Sequence, residues 1–426
     1  MMGAMKDSGV EWIGEIPEEW NRCVPLRFCD RQDSATSQFD AEQPYLALEN
    51  VVSWTGELTN LSEVDEVDST VATYSSNDVL FGKLRPYLAK VVRPDCDGQC
   101  STELLPIQPV HHDRDYLFWL LINRGLIDTI DSMTYGVKMP RTSWSQLGSL
   151  FVPIPPIEEQ RVIAMFLDKE CRVIDEAMRT LEGQLSVLEC YRASVIHEAV
   201  TRGLDPSVPT KPSGVEWFED IPSTWETARI TAVAERHSGH TPNKETAEYW
   251  ENGDIVWISL ADSPALREQK YVRESKTMTT RAGINHSSAE VLPRGSVLLS
   301  RDASVGLCAI ADCDLAVSQH FMAYVCGPKL NNVYLLYCFE DMQQVFQKLS
   351  MGSTIPTIGL PLIKKLVIPL PPREEQNAIA DHLDARTSAI DAILDTKRKQ
   401  LDILKRRRQS LIYEYVTGKR RVGEGD

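Results

Sequence analysis

The sequence predicts an α+β protein built as a pseudo-two-fold tandem repeat, with two globular α+β domains separated by two long antiparallel helices that form an intramolecular coiled coil. Three observations carry that expectation. One short signature occurs twice, a second signature follows it both times, and each second signature opens a proline-free stretch with heptad spacing.

The first signature is Lys6-Asp7-Ser8-Gly9-Val10-Glu11-Trp12 with Ile16-Pro17 and Trp20, repeated as Lys211-Pro212-Ser213-Gly214-Val215-Glu216-Trp217 with Ile221-Pro222 and Trp225. The second is Pro155-Pro156-Ile157-Glu158-Glu159-Gln160, repeated as Pro371-Pro372-Arg373-Glu374-Glu375-Gln376. The match runs on through Ile163/Ile379, Ala164/Ala380, Leu167/Leu383, Asp168/Asp384, Ile174/Ile390 and Asp175/Asp391. Two ordered coincidences of this length mark a duplication. They divide the chain into a globular domain at 1–155, a helix at 156–206, a second globular domain at 207–370 and a second helix at 371–426.

Between the signatures the chain is rich in turn residues and short β-like runs: Tyr45–Val52, Leu88–Val92, Ile255–Leu260, Val297–Ser300 and Phe321–Val325. Helices are expected at Tyr116–Ile122 and Val333–Leu349. The two intervening segments resemble each other little. A duplicated frame with divergent inserts suits two recognition units for two different targets.

Each helical part starts where Pro-Pro meets Glu-Glu. Proline's missing N–H is harmless in a first turn, and carboxylates favour the positive end of the helix dipole. Gly203 and Gly418 suit the stops. Apolar residues at Ile174, Met178, Leu181, Leu185, Leu188 and Val195, and at Ile390, Leu394, Leu401, Leu404 and Leu411, follow the alternating four–three spacing of a seam. Arg192, Lys397 and Arg408 interrupt it. Neither stripe can be buried alone, so the helices are expected to pair. Rods of this size, on the order of 65 Å at 1.5 Å per residue, would hold two modules at a set distance.

Of the 426 residues, 42% are hydrophobic and 25% charged, an ordinary globular balance. No apolar run has the length of a membrane span, and no hydrophobic leader opens the chain. Ten irregularly spaced cysteines fit reduced thiols and a cytoplasmic location. The net charge of −16 argues against a simple DNA binder, because duplex binding draws on Lys and Arg to displace condensed cations. Basic residues must be segregated, or partners must supply charge.

No catalytic signature is present. Gly423-Glu424-Gly425 follows a helix rather than a strand, there is no phosphate-binding loop, and Ser304 lacks the leading glycine of a nucleophile elbow. His237 with His240, Cys96 with Cys100 and Cys308 with Cys313 do not reach a four-ligand zinc spacing. No metal, cofactor or catalytic residue is therefore assigned.

Residue types able to read bases or hold phosphates stand in turn-rich context. They are Lys83, Arg85, Lys138 and Arg141 in the first domain, and His240, Thr241, Lys244, Ser300, Arg301, Gln319, His320, Ser353 and Thr354 in the second. A basic run along the last helix, from Lys397 to Arg421, suits either phosphates or an acidic partner.

Taken together, these residues resemble the specificity subunits of type I restriction–modification enzymes over nearly the whole chain. The repeated Ser-Gly-Val-Glu-Trp openings and Pro-Pro-x-Glu-Glu-Gln helix starts carry the likeness. So do His240-Thr241-Pro242, Asp254-Ile255-Val256-Trp257-Ile258-Ser259 and Gly295-Ser296-Val297-Leu298-Leu299-Ser300 in the second domain. In the first domain only Gly82-Lys83-Leu84-Arg85-Pro86-Tyr87 is similar. The resemblance implies a non-enzymatic subunit with two target-recognition domains that read a bipartite, asymmetric double-stranded DNA site. It also implies docking of two methyltransferase subunits and of restriction/translocase subunits, with S-adenosylmethionine and ATP held by those partners. The competing expectation is a coiled-coil scaffold that never touches DNA.

Overall fold

A computed structural model describes residues 4–32, 36–59, 70–134, 136, 138–350 and 356–423. Two compact units emerge, one formed by Met1–Gly183 with Lys397–Asp426 and the other by Gln184–Thr396. Two long helices, Ile157–Arg202 and Arg373–Val416, each contribute a half to both units.

In the first unit an antiparallel sheet runs in the order Asp30–Arg31, Leu104–Pro109, Val79–Gly82, Val91–Val92. A mixed sheet runs Thr36–Ser37, Val71–Tyr74, Gly98–Ser101, Tyr45–Leu46, its last pair parallel. Helices Arg114–Leu121 and Arg124–Ser132 close the core. The strand expected over Tyr45–Val52 stops at Leu46. There Asn50 turns its side-chain oxygen back onto the Ala47 N–H at 2.7 Å, which favours a 3₁₀ turn over Leu48–Asn50.

The second unit carries the order Ala234–Ser238, Phe321–Cys326, Val297–Ser300, Cys308–Ala311, Tyr271–Val272, and a smaller sheet Met278–Thr279, Ile255–Ile258, Leu315–Val317. The helix expected over Val333–Leu349 is two helices, Asn332–Asp341 and Gln343–Leu349, broken at Met342. Both units thus hold a four-strand antiparallel arrangement of the same connectivity beside a small sheet with one parallel pair. Sequence alone did not reveal that likeness.

The repeated motifs have physical reasons. Gln160 and Gln376 are buried, and each side chain tethers the start of a long helix to its own globular domain. The amide oxygen of Gln160 accepts from the Asp113 N–H at 2.6 Å, and its nitrogen donates to Pro155 O at 2.9 Å. Gln376 does the same with the Asn331 N–H at 2.8 Å and Pro371 O at 2.8 Å. Asp113 and Asn331 in turn cap the following helices Arg114–Leu121 and Asn332–Asp341. At the far ends, Gly418 (φ 71°) and Gly203 (φ 77°) turn the chain out of the helix in the left-handed region. A side chain at 418 would collide with Pro17 and Trp20, and one at 203 would crowd Trp225. The signature tryptophans therefore pack over the helix stops.

Inside each unit the helix halves run antiparallel. In the first, Phe166 lies 4.4 Å from Tyr415 between ring centroids, and Asp175 accepts from Arg408 Nε at 2.8 Å. In the second, Arg192 Nε donates to Asp391 at 2.9 Å and Arg386 donates to Tyr191 Oη at 2.7 Å. Ile174, Ile390 and Leu394 are buried on the seam, whereas Met178, Leu181, Leu185, Leu188, Leu401 and Leu404 are half-buried, as befits two helices with little other cover. Near the globular ends the buried face shifts by one residue. Val195 and Leu411 are half-buried, while Ile196 and Ile412 enter the two main cores.

The arginines that interrupt the seam are its charged ties. Arg192 and Arg408 occupy matching repeat positions, as do Asp175 and Asp391, and each arginine pairs with the aspartate of the other repeat. Arg408 is the more enclosed, its side chain 5% exposed against 13% for Asp175, and it also lies over the Trp119 ring. Burial pushes the Asp175 carboxyl up even though Arg408 pulls it down, so desolvation outweighs the attraction. Replacing Asp175 alone with Leu should therefore cost about 3–5 kcal/mol, because it strands a buried guanidinium, while Asp175→Leu with Arg408→Met should recover most of the loss. Urea midpoints of the isolated chain at pH 7 measure both.

Candidate nucleic-acid interface

The candidate residues of the first domain sit on two segments that the fold stitches together. The turn leaving strand Val79–Gly82 pairs with the stretch before Trp144 through an isolated bridge between Leu84 and Arg141. Thr142 N donates to Lys83 O at 3.0 Å, Arg85 N to Pro140 O at 2.8 Å, and Lys83 N to Glu103 O at 2.8 Å. Arg85 takes φ 52°, a left-handed conformation that a non-glycine residue holds only when the surroundings demand it. Lys83 is half-buried, and Arg85, Lys138 and Arg141 are exposed. Arg141 is committed to Glu103 at 2.8 Å. The side chains of Lys83, Arg85 and Lys138 have no hydrogen-bonding or ionic partner among the described residues.

In the second domain the structure gathers His240, Thr241, Ser300, Arg301, Gln319 and His320, with one residue that sequence reasoning did not propose, Asp302. The Thr241 hydroxyl donates to the Gln319 amide oxygen, and Gln319 Nε2 lies 3.4 Å from His320 Nε2. His320 Nδ1 lies 2.9 Å from the Asp302 carboxylate. Arg301 Nε donates to Gln319 O at 3.2 Å and stands 3.4 Å from Asp302. Asp302 is 6% exposed and its second carboxylate oxygen has no partner among the described residues, so its role is to hold His320 and Arg301 in place. Ser300 is wholly buried, its hydroxyl donating to Asp302 O at 3.1 Å. It supports the turn and presents nothing outward, which removes it from the surface available to a ligand. Lys244 is exposed on the neighbouring loop. Ser353 and Thr354 lie outside the described residues. The signal for Asp302 was present, since it follows Arg301, but only the pairing of strands Val297–Ser300 and Phe321–Cys326 brings it beside His320.

Gly239 explains the Gly-His-Thr-Pro run. Its backbone passes against the carbonyls of Val317 and Ser318, where a Cβ would fall far inside contact distance. That close passage lets His240 N donate to Val317 O at 3.0 Å and sets Thr241 against Gln319.

His237 pairs with Glu290 at 2.6 Å, and among the described residues no group of three His, Cys, Asp or Glu side chains is placed to hold a metal ion. All ten cysteines are unpaired, and burial raises the thiols of Cys23 to about 11 and Cys171 to about 12, too high for a reactive thiolate at neutral pH. No described helix is long and apolar enough to cross a membrane.

Residues 222–402 match the family model described as type I restriction modification DNA specificity domain. The putative type I restriction enzyme MjaX specificity subunit of Methanocaldococcus jannaschii is 23% identical over 440 residues, covering 96% of this chain and 96% of that protein. Over nearly its whole length the chain is thus similar to type I restriction enzyme specificity subunits. The MjaIX specificity subunit of the same organism is 32% identical over 188 residues, 44% of this chain, so the match spans less than half, 42%, of that relative. A solved chain described as belonging to a type I R-M system shares the fold, with a TM-score of 0.69 at 21% identity over 95% of this chain and 99% of its own.

Gly239→Ala should cost about 1–3 kcal/mol, as overpacking does. It should also raise amide exchange at His240 more than at the buried strand Val297–Ser300. Hydrogen exchange read by mass spectrometry checks the contrast.

Proposed function

We propose that this chain is the DNA-reading component of a type I restriction–modification complex, each globular domain recognising one half of a bipartite, asymmetric site. The observation that carries the reading is one backbone frame used twice with different polar side chains: Lys83, Arg85 and Arg141 with Glu103 in the first unit, and Thr241, Arg301, Gln319 and His320 with Asp302 in the second. Arginine, glutamine and histidine at a strand-end turn are the donors and acceptors that a major groove accepts, and two unlike sets of them imply two unlike half-sites.

The rest follows from the chain's charge and chemistry. A net charge of −16 does not hold duplex DNA unaided. Two methyltransferase subunits bound along the long helices would enclose the duplex and supply cationic surface, and they would hold S-adenosylmethionine. Restriction/translocase subunits, where present, would hold ATP. The site of action is the cytoplasm. On this reading the length of the helices, not the recognition domains, fixes the unread gap between half-sites. The basic run on the C-terminal helix serves phosphates or an acidic partner face; Arg406 is already half-neutralised by Asp402 at 2.7 Å.

The test is an exchange of residues 225–367 for the corresponding segment of a relative with a different target. The complex reconstituted with its methyltransferase subunits should then methylate a hybrid motif, with one half-site changed and the other kept. Base-resolved methylation mapping reads the result, and a motif unchanged in both halves refutes the assignment.

A further inference from the structure

The two recognition domains, so different in sequence, share one crossing in atomic detail. Strand Val79–Gly82 pairs with Leu104–Ile107 as Val297–Ser300 pairs with Phe321–Tyr324. The turn that leaves each strand makes the same three backbone bonds. Lys83 N donates to Glu103 O at 2.8 Å, and Arg301 N to His320 O at 2.9 Å. Arg85 N donates to Pro140 O at 2.8 Å, and Ala303 N to Pro356 O at 2.9 Å. Lys83 O accepts from Thr142 N at 3.0 Å, and Arg301 O from Ile358 N at 2.9 Å. An isolated bridge joins Leu84 to Arg141 in one domain and Asp302 to Thr357 in the other, and the residue after it is left-handed in both, Arg85 at φ 52° and Ala303 at φ 59°. Lys83 and Arg301 are therefore the same position.

Around that position the chemistry changes completely. Leucine faces aspartate (84 and 302), arginine faces alanine (85 and 303), glutamate faces histidine (103 and 320), and arginine faces threonine (141 and 357). Among the polar and charged side chains there, only the cation is kept. The Lys83 ammonium has no hydrogen-bonding or ionic partner among the described residues, and Arg301 is held through Nε by Gln319 O and Asp302, which leaves both Nη groups without a partner among the described residues. Two domains that read different bases share no need for a common base contact. They do share a need for a backbone contact that sets the orientation of each domain on the duplex, and phosphate accepts lysine and arginine alike.

Resting on the proposed reading of this chain as a DNA-recognition subunit, we infer that Lys83 and Arg301 are equivalent phosphate anchors, one for each half-site, and carry no base specificity. Residues that differ between the domains at that crossing, Arg85 and His320 first, are left to discriminate bases.

The experiment uses the full chain reconstituted with its methyltransferase subunits and duplexes carrying the motif mapped for that complex. Affinity is measured across a salt series for the unaltered complex, for Lys83→Gln, for Arg301→Gln, for the double variant, and for Lys83→Arg and Arg301→Lys. Each glutamine variant should weaken binding on the order of tenfold at 0.1 M salt and lower the slope of log K against log salt by about one, and the double variant by about two. The ranking of duplexes altered in either half-site should stay as it was, and the charge-conserving variants should keep the original slope. Assembly with the methyltransferase subunits, followed by size exclusion, separates a lost contact from a lost fold, and the charge-conserving pair decides the matter if a glutamine variant fails to assemble. An unchanged slope in either glutamine variant overturns the inference, as does an altered base preference in one half-site. Failure of the unaltered complex to bind any duplex sinks the DNA-recognition reading itself and this inference with it.

Discussion

A helix of more than forty residues with one apolar stripe cannot fold alone, and everything else in this chain rests on how that stripe is covered. Among the described residues the middle of each long helix has little apolar cover, so the central leucines are half-buried while Ile174, Ile390 and Leu394 are fully covered. Leucine on a narrow two-helix seam specifies register weakly, since sliding by a heptad substitutes one leucine for another. The reciprocal ties do specify it. Arg408 meets Asp175 and Arg192 meets Asp391, and a slipped register would leave a buried guanidinium without a carboxylate. Such pairs add little net stability once desolvation is counted, and their value lies in the alternatives they forbid.

That register matters because each helix is fastened to a recognition domain at its start and stop. Gln160 and Gln376 bind the helix start to the capped end of a domain helix, and Asp168 and Asp384 extend the attachment sideways. Asp168 accepts from Arg93 and from Trp119 Nε1, and Asp384 from Lys270 and from Tyr337 Oη. The matching aspartates are thus met by different cations and different aromatic donors. The helices are the duplicated part and the domains the diverged part, and at each junction the helix side is kept while the domain side has drifted around it.

Much of this was legible in the chain. Signatures occurring twice in order gave the duplication, proline placement gave the long helices, and the Pro-Pro-x-Glu-Glu-Gln starts and glycine stops fall within a residue or two of the observed ends. Arg192 and Arg408 read as flaws in the seam because heptad spacing scores apolarity and not partners; their recurrence beside a recurring aspartate was a signal that pattern reading passed over. The common frame of the two domains was not legible at all. It resides in backbone hydrogen bonds between segments some fifty residues apart, which leave no trace in side-chain identity once the side chains have been free to change.

That invisibility has a physical cause that bears on function. A crossing held by main-chain bonds constrains φ and ψ and leaves the side chains almost unconstrained, so Arg85 and Ala303 can occupy the same left-handed turn. A reader of many different targets needs that separation of duties. If the frame were held by side chains, changing the bases recognised would unmake the fold. In the second domain the side-chain network of Asp302, His320, Gln319 and Thr241 hangs from the frame rather than supporting it. In the first, Arg141 and Glu103 take its place. Specificity is then free to vary at fixed stability. The one requirement that both domains share at this crossing, a positive charge, is met by whichever of lysine or arginine the local packing admits.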